Sequence, residues 1–330
     1  MNMKKDISII IPIKDRAEFT FRSLCYLSSI KFPFKIFICD GSFNKSNNKK
    51  IVNKFKKKIP VTYLSFPYDK NYLFFLNKLK KTLLKVKTKY VILLPNDDFI
   101  NLDFLKILHK KKLNYESISG INIDFKINNY IRYVNDYGKT KFYSKVKNQY
   151  DPNLNNKNML KRIKFISKFN PYESIHTKKV LLDVLNYSIE FSVNNHKEFM
   201  WFFKLIPLFL TRIIFINKPL IARQVNTYSS EGFGLYLRDN FSSKSRLIEF
   251  KKFIYKKTKN ESLQYIIIEK DFPTKPIVTF KEKIIINLIY IKKFFKKKIS
   301  FFYTKKQKYS FNNYEKLFKL TIYNFKYFKK

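Results

Sequence analysis

The sequence predicts an α/β fold built on a mostly parallel sheet flanked by helices, and three observations predict it. Short β-branched or apolar runs alternate with amphipathic segments over roughly the first hundred residues, the pattern of a doubly wound sheet. Three of those runs end in polar clusters: Pro12 to Arg16, Asp40-Gly41-Ser42 and Asn96-Asp97-Asp98. In open α/β sheets ligands bind at the carboxyl ends of the strands. At 330 residues the chain is also long enough to bury a sizeable core, as one large unit or two smaller ones.

The elements follow in order. Ile7 to Ile11 is a β-branched run expected to stop at Pro12, and Ala17 to Ser29 sets Phe21, Leu24 and Leu27 on one helical face. Lys35 to Cys39 is a second strand, Ile51 to Lys58 a short basic helix, and Val61 to Leu64 a third strand. Asn71 to Val86 carries Leu76, Leu79, Leu83 and Val86 at helical spacing. Tyr90 to Leu94 is a fourth, fully apolar strand, closed by Pro95. Later signals are weaker: a strand over Ile118 to Phe125, a polar loop over Asn148 to Asn158, a helix around Glu198 and Trp201, and a strand over Ile213 to Ile216. The right-handed crossover rule gathers the early strand ends at one edge. We expect a catalytic unit over 1–225, split into a nucleotide-binding half (1–116) and an acceptor-side half (117–225). A basic, aromatic-rich helical extension over 226–330 follows.

Composition sets the partner classes. Sixty-eight basic residues against 24 acidic ones give +44, a balance that suits nucleic acid, an anionic membrane or a polyanionic substrate. Alanine occurs only at 17 and 222, while Lys, Asn, Ile, Phe and Tyr abound, so part of the lysine excess reflects an AT-rich codon bias. Cys25 and Cys39 have neither disulfide nor metal spacing and read as core thiols of a reducing compartment. With three scattered histidines (His109, His176, His196) no zinc site is expected. Met1 to Asp6 is too short and polar for a cleavable leader, and Leu205 to Ile216 is too short to span a bilayer. A cytoplasmic protein is therefore expected.

The pair Asp97-Asp98 stands where a buried strand surfaces. Carboxylate oxygens are the hard ligands that Mg²⁺ or Mn²⁺ prefers, usually shared with substrate phosphates. Taken with Ile11-Pro12-Ile13-Lys14-Asp15-Arg16 and Cys39-Asp40-Gly41-Ser42, this pair gives three polar strand ends in order. The combination resembles the nucleotide-binding half of GT-A glycosyltransferases of the family 2 type, over roughly residues 6–100. That resemblance implies a nucleotide-sugar donor, UDP-linked in chemistry, at Pro12, Lys14, Arg16, Asp40 and Asp97. Asp40 would meet the base, Asp97 the ribose, and Asp98 would be the principal ligand of Mn²⁺ or Mg²⁺. Two departures stand out: Lys14 replaces the tyrosine that commonly stacks on the base, and Asn96 replaces the first acid of the metal motif.

The resemblance also implies an inverting reaction with an acidic general base near a helix start in the second half. Asn194-Asn195-His196-Lys197-Glu198 offers Glu198 in a first turn, capped by an asparagine, with Trp201 toward the acceptor. Glu190 and Asp183 are the alternatives. His196 is expected at the surface, and His176 is a further candidate near the site. The acceptor class implied is a cell-surface or lipid-linked glycan. The last fifty residues hold fifteen lysines, with Lys292-Lys293 and Lys296-Lys297-Lys298 around Phe294-Phe295, which suits an anionic bilayer surface. An ordinary basic helical subdomain fits the same pattern. A nucleic-acid-binding protein would explain the charge but not the ordered acids, so nucleic acid is not an expected partner. A nucleotidyltransferase is a further alternative, ranked lower because the Gly-rich phosphate loop that several such enzymes carry after the first strand is not seen here.

Overall fold

The computed structural model of the chain describes residues 6–111, 115–127, 140–143, 171–224 and 244–259. Its first half runs β1 (Ile7–Ile13), α1 (Ala17–Ser29), β2 (Lys35–Asp40), α2 (Ser46–Phe55), β3 (Val61–Ser65), α3 (Tyr72–Lys85) and β4 (Tyr90–Leu93). It continues with β5 (Phe99–Ile100), α4 (Leu102–Lys111), β6 (Ser117–Ile127) and β7 (Thr140–Tyr143). After a single 3-10 turn at Pro171–Glu173 come β8 (Ile175–Thr177), α5 (Lys178–Glu190), α6 (His196–Leu210), β9 (Ile213–Gln224) and α7 (Lys244–Thr258).

The strands form one sheet in the order β3-β2-β1-β4-β8-β6-β9-β5, with β7 paired to β6. From β3 to β4 every pairing is parallel, Ile9 lying opposite both Ile36 and Ile92. Beyond β4 the sheet is mixed: β8 is antiparallel to β4 and β6, whereas β6 and β9 are parallel. The α/β class with helices flanking a parallel sheet is borne out.

Alternation along β1 sorts the core into two layers. Ile7, Ile9, Ile11 and Ile13 pack with Phe21, Leu24, Val52 and Phe104 from α1, α2 and α4. Ile10 faces the opposite way, toward Leu76 and Leu79 of α3, Leu181 of α5 and Phe199 and Phe203 of α6. Burying each such isoleucine or leucine contributes about 1.5–3 kcal/mol.

Several boundaries differ from expectation. Pro12 does not end β1; it lies opposite Cys39 and the strand continues to Ile13. Ile10 accepts from Leu94 on the β4 side and Ile13 from Gly41 on the β2 side, so by alternation the missing N–H of Pro12 faces β4 beyond its last pair. A proline is tolerated where no ladder bond is lost. The helix expected over Ile51 to Lys58 starts earlier, at Ser46, where Asn44 Oδ1 accepts from the Ser46 N–H. The strand at Ile213 runs on through Pro219 to Gln224, with register shifts around Ile121.

The polar loop expected over Asn148 to Asn158 and the basic tail over 281–330 lie outside the described residues. Of the extension expected from 226 onward, α7 is described, and it does not stand apart. Leu247, Phe250 and Ile254 sit at one helical face and are buried in the same cluster as α5 and α6. Among the described residues no helix is long and apolar enough to cross a membrane.

Candidate active site

The loops after β1, β2 and β3 are tied into one rim. Asp15 has φ 49, a left-handed conformation that a non-glycine residue holds only when its surroundings fix it. Here its N–H donates to Ser42 Oγ (2.8 Å), and its Oδ1 accepts from the Phe43 N–H (2.8 Å). Lys14 Nζ donates to the Asp69 carbonyl (2.7 Å) and lies 4.7 Å from the Tyr68 ring centre. Tyr68 meets Phe43 edge to face at 5.8 Å, and Phe43 is 82% exposed.

Asp40, expected to meet the base, is enclosed by hydrogen bonds within the protein. It is fully buried; Oδ1 accepts from the Ser42 N–H (2.8 Å) and Oδ2 from the Tyr63 hydroxyl (2.7 Å). Its carboxylate shapes the Asp-Gly-Ser turn, and burial and then Asp40 push the Tyr63 phenol pKa up.

Beside it lies an ion pair that the sequence reading missed. Asp69 Oδ2 pairs with Lys78 Nζ, both nearly enclosed, and Lys78 also donates to the Ile13 carbonyl (3.1 Å). Burial raises the Asp69 pKa, and Lys78 and Lys14 oppose the rise. Gly41 makes room for this carboxylate: a Cβ there would stand 2.3 Å from Asp69 Cγ. The available signal was an acid at the end of β3 followed by a lysine on an otherwise apolar helix face, a pattern with no motif of its own.

At the end of β4, Asn96, Asp97 and Asp98 are all buried. Arg16 Nη2 contacts Asp97 Oδ2 at 3.1 Å while its guanidinium lies 4.0 Å from the Phe19 ring centre. Arg22 Nη2 donates to the Asp97 carbonyl (2.9 Å), fixing the loop from the α1 side. Asn96 Nδ2 reaches the Arg16 carbonyl and Thr20 Oγ1, each at 3.4 Å. Its role is to tie β4 to α1, which an acid in that place could not do as a donor.

Asp98 accepts from the Gln224 main-chain N–H at 2.9 Å. Burial raises its pKa well above the ordinary carboxylate value, Asp97 and Glu173 add to the rise, and Gln224 N–H and Arg223 oppose it. Glu173, also unassigned from sequence, comes from the 3-10 turn; Asn122 Nδ2 donates to its Oε2, and Arg223 Nη1 lies 3.6 Å from its Oε1. Tyr172 is buried next to this group, its phenol pushed up first by burial and then by Asp98 and Glu173. Sequence could not pair residues 98, 122, 173 and 223, because only strand order unites them.

A divalent cation fits this chemistry. Asp98 and Asp97 offer hard oxygens in a crowd of like charge that a cation relieves. Among the described residues no group of three His, Cys, Asp or Glu converges as a closed metal cage. Such a cation would therefore be held by one or two carboxylates, with substrate phosphates completing its shell.

Glu198, the expected base, is also enclosed. It is 0% exposed, and its carboxylate meets Arg246 Nε and Nη2 of α7 at 3.3 Å each. Asn195 Oδ1 caps the helix by accepting from Glu198 N–H (2.9 Å), and Glu198 Oε2 accepts from Asn194 N–H (3.4 Å). Arg246 further donates to the carbonyls of Phe191 and Ser192. An enclosed carboxylate bound to a guanidinium and a helix start fastens α7 to α6; it is not placed to take a proton from an acceptor.

His196 is half-buried rather than at the surface. Its Nδ1 lies 3.0 Å from the Tyr72 hydroxyl and its ring 6.2 Å from that of Tyr172. His176 is fully buried within the sheet, with Nδ1 2.9 Å from Ser117 Oγ, and belongs to the core. Trp201 packs against the core with Lys204 Nζ 4.7 Å from its ring centre. Of the alternatives, Glu190 pairs with Lys257 (2.7 Å) and Asp183 lies on α5 with its pKa raised by burial. Neither is among the charged neighbours of Asp98.

No protein-family model and no curated protein sequence matches the chain. Among solved structures it is similar to residues 1–349 of S. aureus TarS, with 14% identity over 76% of this chain and a TM-score of 0.49. The complex of the same piece with UDP-GlcNAc is 15% identical over 76% of this chain, with a TM-score of 0.47. The chain spans 64% of the first of these structures and 65% of the second.

Proposed function

We propose that the chain is an inverting glycosyltransferase that moves a sugar from a nucleotide-diphosphate donor, UDP-linked by preference, to a hydroxyl of a cell-surface glycan or lipid-linked acceptor. The observation that carries the reading is the convergence of the ends of β1, β4 and β9 and the Glu173 turn on one crowd of buried carboxylates with Arg16 and Arg223 beside it. Buried like charges are costly, and they persist where a ligand relieves them. Strand-end placement matches the crevice of open α/β sheets, and the three ordered motifs add the resemblance to GT-A enzymes.

The nucleoside would lie on the rim beyond β1, β2 and β3, where Lys14, Tyr68 and Phe43 stand. Asp97, held by Arg16, would face the ribose, and Asp98 would hold Mn²⁺ or Mg²⁺. When bound, that cation supplies charge neutralisation for the diphosphate as it leaves. Arg16 adds a positive group to the same side of the crevice.

On the acceptor side His196 replaces Glu198 as the base. It sits on the first turn of α6, faces Tyr172, and is oriented through the Tyr72 hydroxyl. A neutral imidazole takes the acceptor hydroxyl proton as the oxygen bonds to the anomeric carbon. The bond to the diphosphate oxygen breaks in the same step, its electron pair leaving with the nucleotide, and the anomeric configuration inverts. The protein would work in the cytoplasm, with the lysine-rich and aromatic tail against the membrane.

A thermal-shift screen of nucleoside diphosphates with and without Mn²⁺ tests the reading. We expect UDP with Mn²⁺ to stabilise the wild type and to do so no longer in Asp98→Ala. Stabilisation by oligonucleotides alone would replace the enzyme with a nucleic-acid-binding protein.

A further inference from the structure

Gln224 ends β9, and its main-chain N–H is committed to Asp98 Oδ1 at 2.9 Å. Its side chain is 3% exposed, yet among the described residues neither Nε2 nor Oε1 has a hydrogen-bond partner. Buried amides are normally satisfied, and one left doubly unmet calls for a specific cause. The amide branches from the residue that touches Asp98, so it lies within one side-chain length of the carboxylate expected to face the diphosphate.

The unmet group also has a chemistry. It offers two N–H donors and one carbonyl acceptor and carries no charge. A diphosphate only accepts, so it would leave Oε1 unmet. The nucleoside rim stands at the β3-β2-β1 end of the sheet, whereas β9 lies on the other side of β4, beyond β8 and β6. What remains on the β9 side of the diphosphate is the sugar, whose hydroxyl or acetamido groups both donate and accept.

We propose that the Gln224 amide reads the transferred sugar, donating from Nε2 and accepting at Oε1, and so sets donor specificity. This rests on the glycosyl-transfer reading and goes beyond it by assigning the sugar contact to a residue outside every motif. A site built to hydrogen-bond a substrate group discriminates strongly against analogues lacking it, because its buried polar atoms are then left unpaired.

The experiment compares the full-length wild type with Gln224→Leu, and with Gln224→Met as a second near-isosteric variant. Three readouts are taken with Mn²⁺: UDP affinity, hydrolysis of UDP-glucose and UDP-N-acetylglucosamine, and melting temperature. Both variants should keep UDP affinity within about twofold, since UDP lacks the sugar. The kcat/KM for the preferred donor should fall by about tenfold or more, and the preference between the two donors should narrow. The melting temperature should hold or rise, because removing an unmet buried amide relieves a cost. The donor preferred by the wild type tells an acetamido contact from a hydroxyl contact. Unchanged donor preference, or equal loss of UDP and donor affinity, overturns the proposal, as does a lowered melting temperature in both variants. A wild type that binds UDP while the variants behave normally removes this assignment alone. A wild type that binds no nucleotide removes the glycosyl-transfer reading and this assignment with it.

Discussion

Two buried acidic clusters in this molecule balance their charge in different ways. Around Asp98 three carboxylates crowd together, Arg16 stands 3.1 Å from Asp97 and Arg223 3.6 Å from Glu173, and burial drives the Asp98 proton affinity up. Around Glu198 a single carboxylate meets two guanidinium nitrogens and one main-chain N–H group, that of Asn194. The first gathers three carboxylates from separate elements, and the second pairs one carboxylate with a guanidinium and a helix start. Unbalanced buried charge marks a site, whereas balanced buried charge marks a joint in the architecture.

Breaking the balanced cluster should have the largest effect on folding. Glu198→Gln removes the enclosed carboxylate from the Arg246 guanidinium, only 17% exposed, and leaves it the exposed Glu249. Loss of one partner of a buried pair costs about 3–5 kcal/mol, with the low end expected here because Arg246 keeps two carbonyl acceptors. Chemical denaturation would measure it, and pairing the change with Arg246→Met should recover most of the loss. His196→Gln should do the reverse: little change in stability, with transfer reduced about 10²- to 10⁴-fold. Normal transfer in His196→Gln with impaired transfer in a stable Glu198→Gln would return the base to Glu198.

The unbalanced cluster should respond to pH in a defined direction. Because the folded pKa of Asp98 is raised above its unfolded value, the folded state binds the extra proton between the two values. Unfolding free energy from this group therefore falls as pH rises through that window. Asp98→Asn should melt higher than the wild type at neutral pH, and the gap should close as pH drops toward the unfolded carboxylate range. The same variant should lose Mn²⁺-dependent UDP binding. A gap that is constant with pH would mean that Asp98 is not held against its charge.

The smallest effect on the core is expected from the tail. Deleting residues 281–330 should leave the melting temperature nearly unchanged while releasing the protein from anionic liposomes, each lysine near such a surface contributing about 1 kcal/mol. A truncated chain that still pellets with them would place the anchor elsewhere.

Much of the parallel half was legible because its signals are local. Ile7 to Ile11, Lys35 to Cys39 and Tyr90 to Leu94 are continuous apolar runs, and α1 and α3 repeat their leucines at helical spacing. The second half was harder because β8 has only three residues and β9 runs through Asn217-Lys218-Pro219, which reads as a break. Asn195 as a cap and Glu198 in a first turn were both readable; the partner that decided the meaning of Glu198 was not. Arg246 lies 48 positions away on a helix that the composition assigned to a separate extension.

By itself the sequence determined the alternating α/β plan and the placement of Asp97 and Asp98 at a strand end, since hydrophobic periodicity and short-range order dictate both. Tertiary structure alone decided which carboxylates are enclosed singly and which crowd together. It closed Asp40 with Tyr63, tied Glu198 to Arg246, and brought Glu173, Arg223 and Gln224 to Asp98 from separate strands and turns. A carboxylate's role depends on what surrounds it in space, and pairings over dozens of residues are set by strand order and burial rather than by any neighbour in the chain.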